Sequence, residues 1–156
     1  MTKLIRWVAR LQYRLFDRMR HPDALRAAEQ PPTAADFEPL GGHHYCLLVT
    51  FRRGGTPVPT TVLFGTQDGK VYLRTDASTA KVARIRNDPR VLVGPSNSRG
   101  KPRGPLARGT ARLMSTSENE AAYAALKRNY RPMERLGEGM IDLLPIEMTY
   151  IEVTPA

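Results

Sequence analysis

At His43 the hydrophobic period of the chain changes from helical to alternating, and alternation dominates the remaining residues. This switch restricts the fold most. "HYCLLVTF" (44–51) reads as a strand, "RRGGTP" as a turn and "VPTTVLF" (58–64) as a second strand. Pro57 and Pro59 suit a strand start or a sheet edge, where a missing N–H costs least. Asp68-Gly69 predicts a two-residue hairpin into a third strand, "VYLRT" (71–75). "VLVGP" (91–95), "PLARGTARLM" (105–114) and "EMTYIEV" (147–153) give the fourth, fifth and sixth. Six short antiparallel strands with few helices predict a mainly β, α+β fold: a closed or partly closed barrel.

Three helical stretches accompany the strands. Leu4, Val8, Leu11, Leu15 and Met19 recur at three- and four-residue steps, beside Arg6, Arg10, Arg14 and Arg18 at strict four-residue steps. They predict an amphipathic helix over 1–20 that ends at His21-Pro22, with a short helical turn at 23–28. A second helix is expected at about 78–87. A third is expected from Ser117, with Glu120 completing a capping box, to about Tyr130. "RPMERLGEGMIDLLP" (131–145) reads as irregular. The predicted organisation is an N-terminal helical extension (1–28), a Pro- and Gly-rich linker (29–42) and a barrel domain (43–156).

The chain has 24 Lys+Arg against 15 Asp+Glu, a net charge of +9. Nucleic acid, an anionic membrane surface or an acidic small molecule could each use that excess. The cations are scattered, and no zinc-finger spacing, basic zipper or RNA-binding aromatic motif is present, so nucleic acid is not expected. Residues 1–20, with Trp7 among the arginines, fit weak peripheral contact with a membrane interface. Packing on the barrel or a partner subunit is the commoner use of such a helix. No apolar run approaches the roughly 20 residues of a membrane span. A single cysteine and no recognisable export signal suggest the cytoplasm.

Dedicated catalytic motifs are missing. His43, His44 and Cys46 cluster, but no second Cys or spaced His pair completes a metal site, so no metal is expected. Cys46 reads as a buried small hydrophobe. No G-x-G-x-x-G follows a strand, and there is no Walker-type loop. Tyr13, Tyr45 and Tyr72 are candidate proton donors. "TDASTAKVARIRNDPRV" (75–91) is more informative. A helix beginning near Ser78 would aim its first N–H groups toward the end of the third strand. The Thr75, Ser78 and Thr79 hydroxyls would lie nearby, with Lys81 and Arg84 within reach, as in a grip for an anion such as phosphate. The ordinary alternative is a capped surface helix.

The order from "LLVTFRRGGTPVPTTVLF" through the Asp-Gly hairpin, Thr75, Lys81 and "RNDPRV" resembles the pyridoxamine-phosphate-oxidase-like split β-barrel proteins. Within them it is most similar to the branch that uses the deazaflavin coenzyme F420. "PSNSRGKPRGP" (95–105) is similar to a loop of one subgroup. The resemblance covers 43 to about 115 and, loosely, the last strand. It implies a homodimer with cofactor sites at the subunit interface and an oxidoreductase that passes hydride between reduced coenzyme and an unsaturated or quinone-like substrate. On matching positions it implies ring contacts from Val58, Thr60, Thr61 and Val62. Phosphate contacts would come from Thr75, Ser78, Thr79, Lys81 and Arg84, with Asn97, Arg99 and Gly100 facing the cofactor from either subunit. Many relatives carry Trp late in the second strand, where this chain has Leu63-Phe64, and an acidic residue where it has Ser96-Asn97. An FMN-dependent enzyme on the same barrel and a non-catalytic F420 carrier are the alternatives.

Overall fold

The computed structural model describes residues 20–156 together with Lys3, Leu4, Trp7, Val8, Arg10 and Leu11. Those six are helical, and Leu4, Trp7, Val8 and Leu11 are exposed. The rest of the expected N-terminal helix, with Tyr13 and Arg14, lies outside the described residues.

Strands β1 (Tyr45–Phe51), β2 (Pro57–Leu63), β3 (Gly65–Gln67), β4 (Lys70–Asp76), β5 (Arg90–Ser96), β6 (Ala107–Leu113) and β7 (Met148–Pro155) form one antiparallel sheet in the order β2-β1-β5-β6-β7-β4-β3. Among the described residues there are thus seven strands where six were expected. The seventh, Gly65–Gln67, is too short to show a period. It exists because Gln67 pairs with Lys70 across Asp68-Gly69, whose φ values are 53° and 75°. Two left-handed residues give the turn that matches strand twist.

The sheet curls around one apolar interior containing Cys46, Leu48, Val71, Leu73, Val91, Val93, Ile151 and Val153. Helix α2 (Ala80–Asn87) contributes Val82 and Ile85 to the buried set. A second cluster lies on the other face of β1, where α1 (Pro22–Glu29) lays Ala24 and Ala28 on Leu47 and Val49. Helix α1 is a full helix, longer than the expected turn: the His21 ring caps it by accepting from the Asp23 N–H, and Pro22 occupies its first position. Segment 29–42 wraps the barrel. Phe37 and Leu40 enter the main core, and Ala34 bridges Ala107.

Helix α3 (Asn119–Asn129) covers β3 and β4 with Ala122 and Leu126. Its contact is close: a Cβ on Gly65 would lie 2.3 Å from the Ala125 carbonyl oxygen. The capping box before it uses Ser115 and Glu118, two residues earlier than expected. A short 3-10 turn (Thr116–Glu118) intervenes, so the cap precedes that turn rather than α3 itself.

The larger correction is α4 (Pro132–Ile141), which replaces the expected irregular stretch. Gly137 and Gly139 weaken its helical signature. Its start is nevertheless well specified by Pro132 at the first position and by Glu134, whose carboxylate accepts from the Arg131 N–H at 2.6 Å.

Candidate functional site

Strand β2 ends the sheet and pairs only with β1 among the described strands. Register divides its predicted ring contacts. Val58, Thr60 and Val62 stand opposite Thr50, Leu48 and Cys46 on the barrel face, whereas Thr61 stands opposite Leu47 on the outer face. Val58, Thr60 and Thr61 are half-buried and Val62 is buried. The Thr60 hydroxyl donates to the Leu48 carbonyl at 3.2 Å.

Helix α2 brings two cations alongside this ladder. Arg84 Nε donates to the buried Thr50 hydroxyl at 2.6 Å, beside Val58 in register. The Lys81 ammonium is near enough to Cys46, opposite Val62, to pull on its thiol. Burial pushes the Cys46 thiol far up and Lys81 only partly opposes it. Cys46 therefore stays protonated and inert, as the core reading requires. The structure thus joins Arg84, through Thr50, to the Val58 end of the ladder.

The hydroxyls at the helix start behave differently. Helix α2 begins at Ala80 with Thr79 as its cap position, two residues later than expected. Asp76, buried at the end of β4, accepts from the Ser78 N–H at 2.8 Å and the Ser78 hydroxyl at 2.7 Å. The Thr79 hydroxyl donates to the Asp76 carbonyl at 2.9 Å. Thr75 is buried beside Thr149 in the ladder. Asp76 thus engages the Ser78 N–H and the Ser78 and Thr79 hydroxyls, which were expected to hold phosphate. Asp76 is the residue of this turn that sequence reasoning missed. Its signal was legible: an Asp two residues before a Ser is the mark of an Asx turn.

The 96–102 loop is built by Asn97. Its side-chain oxygen accepts from the Arg99 N–H and the Lys101 N–H, both at 2.9 Å. Gly100 closes the loop with φ +85°, and a Cβ there would lie 2.7 Å from the Thr61 hydroxyl. Thr61, Asn97, Arg99 and Gly100 therefore form a second group on the outer face, with α1 attached through the His21 N–H to the Arg99 carbonyl at 2.9 Å. One chain does not unite the two groups. Exposed Arg99, Lys101 and Arg103 make the outer one strongly basic.

The tyrosine candidates separate as well. The Tyr72 hydroxyl donates to Glu152 at 3.2 Å on the α3 side of the sheet. Burial and the Glu152 carboxylate push its pKa up. Arg112 and Lys70 meet the same Glu152. Tyr45 is half-buried beside the Arg131 guanidinium, 6.0 Å from its ring. Among the described residues no group of three His, Cys, Asp or Glu could hold a metal ion. No helix among them is long and apolar enough to cross a membrane.

A curled antiparallel sheet with β2 at its edge and a helix alongside the β1–β2 ladder has counterparts among known structures. A pyridoxamine 5'-phosphate oxidase candidate from Listeria innocua matches with TM-score 0.50 and 17% identity, over 74% of this chain and 86% of that one. The chain has the fold of the pyridoxamine 5'-phosphate oxidase-like split barrels. An FAD-binding protein from Mesorhizobium loti shares this split barrel at TM-score 0.53 and 15% identity, over 76% and 83% of the two chains. So does HutZ, a heme storage protein from Vibrio cholerae, at TM-score 0.55 and 13% identity, over 78% and 91%. No protein-family model matches the sequence, and no curated protein matches it. At these identities the likeness establishes the fold alone, so the ligand must be argued from the residues.

Proposed function

We propose that this split barrel is an oxidoreductase that binds coenzyme F420 and passes hydride between the reduced deazaflavin and an unsaturated or quinone-like organic substrate. The carrying observation is the Arg84 hydrogen bond to Thr50 on the β1–β2 ladder, opposite the half-buried Val58, with Lys81 one turn earlier on the same helix. Flat apolar walls with cations at one side suit a planar ring bearing a phosphate. The donor set fits such a group, with its anion held by Lys81 and Arg84 rather than by the Ser78 N–H and hydroxyl that Asp76 engages. When bound, the coenzyme supplies the hydride chemistry. Val58, Thr60 and Val62 orient the ring and exclude water from it, and Lys81 and Arg84 neutralise the anion. This division of labour agrees with a sequence that has no dedicated nucleophile or acid–base pair.

Two copies would complete the site. The outer group of Thr61, Asn97, Arg99 and Gly100 stands on the opposite face of β2 from the α2 cations. In a homodimer, one subunit's basic loop can face the ring or the acidic tail held by the other. FMN is the second reading, favoured by the FAD-binding neighbour on the same fold.

Titration with F420 and separately with FMN, followed by fluorescence, tests the proposal. Saturable F420 binding at micromolar or tighter levels with weak FMN binding is expected, followed by oxidation of reduced F420 in the presence of quinone-like acceptors. Preference for FMN changes the chemistry, and binding without turnover on any acceptor makes the protein a carrier.

A further inference from the structure

Helix α4 is turned inside out. Met133, Leu136 and Met140 recur at three- and four-residue steps and all are exposed, with exposed Leu143 just beyond the helix. Glu134, Glu138 and Asp142 recur at strict four-residue steps and, at 100° per residue, occupy the opposite side. That acidic side faces the barrel. Glu138 and Asp142 meet Arg74, and Glu134 meets Arg131. A helix ordinarily buries its apolar stripe and exposes its charges. Here no α4 residue is fully buried, and the apolar stripe points outward.

Charge identifies what covers it. The three acids are neutralised on the inner side, while exposed Lys127, Arg128 and Arg135 at the N-terminal end have neutral partners. These are the Tyr123 ring, the Gln67 side chain and the Lys127 carbonyl. At its N-terminal end the surface around the stripe is therefore apolar and cationic. The second exposed apolar stripe of the chain, Leu4, Trp7, Val8 and Leu11, is also flanked by cations, including Arg10. Two cationic stripes repel rather than cover each other, and both complement an anionic third surface. The net charge of +9 acts in the same direction. We infer that the outward face of α4 is a docking surface for an anionic lipid bilayer. Lys and Arg near such a surface are drawn to its negative charge, and apolar side chains entering the interface add to the binding.

The test is co-sedimentation of the full chain with phosphatidylglycerol-containing vesicles and with pure phosphatidylcholine vesicles. The double variant Leu136→Glu, Met140→Glu runs alongside. Those side chains are 64% and 62% exposed, so the fold should survive their change, which circular dichroism verifies. Binding to anionic vesicles is expected, weak on neutral ones, falling with salt, and at least tenfold weaker in the double variant. Equal binding by the variant would assign membrane contact to the N-terminal stripe alone and overturn the proposal. So would a wild type that ignores anionic vesicles but self-associates through Leu136 and Met140, which would make a second copy the occupant.

Discussion

Arg74 on β4 donates to Glu138 on α4 at 2.7 Å, across 64 residues of sequence. Its side chain is only 7% exposed, it also pairs with Asp142, and it lies over the Tyr123 and Tyr150 rings. This one guanidinium holds α4 to the barrel with its acidic side inward. Glu138→Ala removes one charge-assisted hydrogen bond from a largely buried cation, which should cost about 1.5–3 kcal/mol. Urea denaturation measures this, and an unchanged midpoint would show that Asp142 alone suffices. Protease sensitivity near residues 131–145 should rise in the same variant.

Acid should weaken the β6–α3 junction in a defined range. Arg112 and then Ser115 hold the Glu118 carboxyl down at about 2, against an ordinary value of 4.5. A carboxyl whose folded pKa is depressed contributes stability above the unfolded value, and that contribution disappears as pH falls through the folded one. The difference in stability between the wild type and Glu118→Gln should be largest near neutral pH. It should shrink from about pH 4.5 downward and vanish near pH 2. Parallel denaturation series at pH 7 and pH 3 check it, and a difference that does not change with pH would exclude this carboxylate as its source.

Gly100→Ala tests the join between the basic loop and β2. The residue sits at φ +85°, and its new Cβ would lie 2.7 Å from the Thr61 hydroxyl. The left-handed conformation alone costs about 1–2 kcal/mol for a residue with a Cβ. Stability should fall by at least that amount. If the loop faces the coenzyme as proposed, affinity should fall further than in a variant at exposed Ser98. Equal affinities would detach the loop from the site.

The barrel was legible because its strands carry alternation and its hairpin carries Asp68-Gly69, and both signals are local. The same holds for the buried reading of Cys46 and for Val82 and Ile85 on the inner side of α2. What escaped is what depends on a distant partner. Strand β3 is ordered by pairing with β4 and by α3 pressing on Gly65. Helix α4 depends on Arg74, whose contribution no local propensity records. Within the candidate site, the cations of α2 were readable from their spacing. The division of β2 into a Thr60 face and a Thr61 face was implicit in strand periodicity, yet the resemblance assigned both to one ring. Only the register separates them.

Lys81→Ala should weaken coenzyme binding by about 1.5–3 kcal/mol, roughly 10- to 150-fold, if the ammonium makes a charge-assisted contact with phosphate. Fluorescence titration measures this, with denaturation run in parallel to establish that the fold is intact. Unchanged affinity in a folded variant would remove Lys81 from the grip and leave Arg84 as its remaining cation.

Asp76→Asn separates the two roles available to the helix start. The wild-type carboxylate accepts both the Ser78 N–H and the Ser78 hydroxyl, so it does locally what a bound anion would do. Asparagine keeps an oxygen for those donors and removes the charge, so the expected stability loss is about 1 kcal/mol. Two like charges about 4 Å apart repel by about 1 kcal/mol even at the dielectric of water, and by more where water is scarce. A phosphate held by Lys81 and Arg84 that close to the carboxylate would be repelled in the same way. The variant should therefore bind a phosphate-bearing coenzyme more tightly than the wild type, by a few-fold. A tenfold loss of affinity in a folded variant would reverse the assignment. Asp76 would then contact the ligand itself, through a hydroxyl or amide that donates to it, and the anion would lie elsewhere.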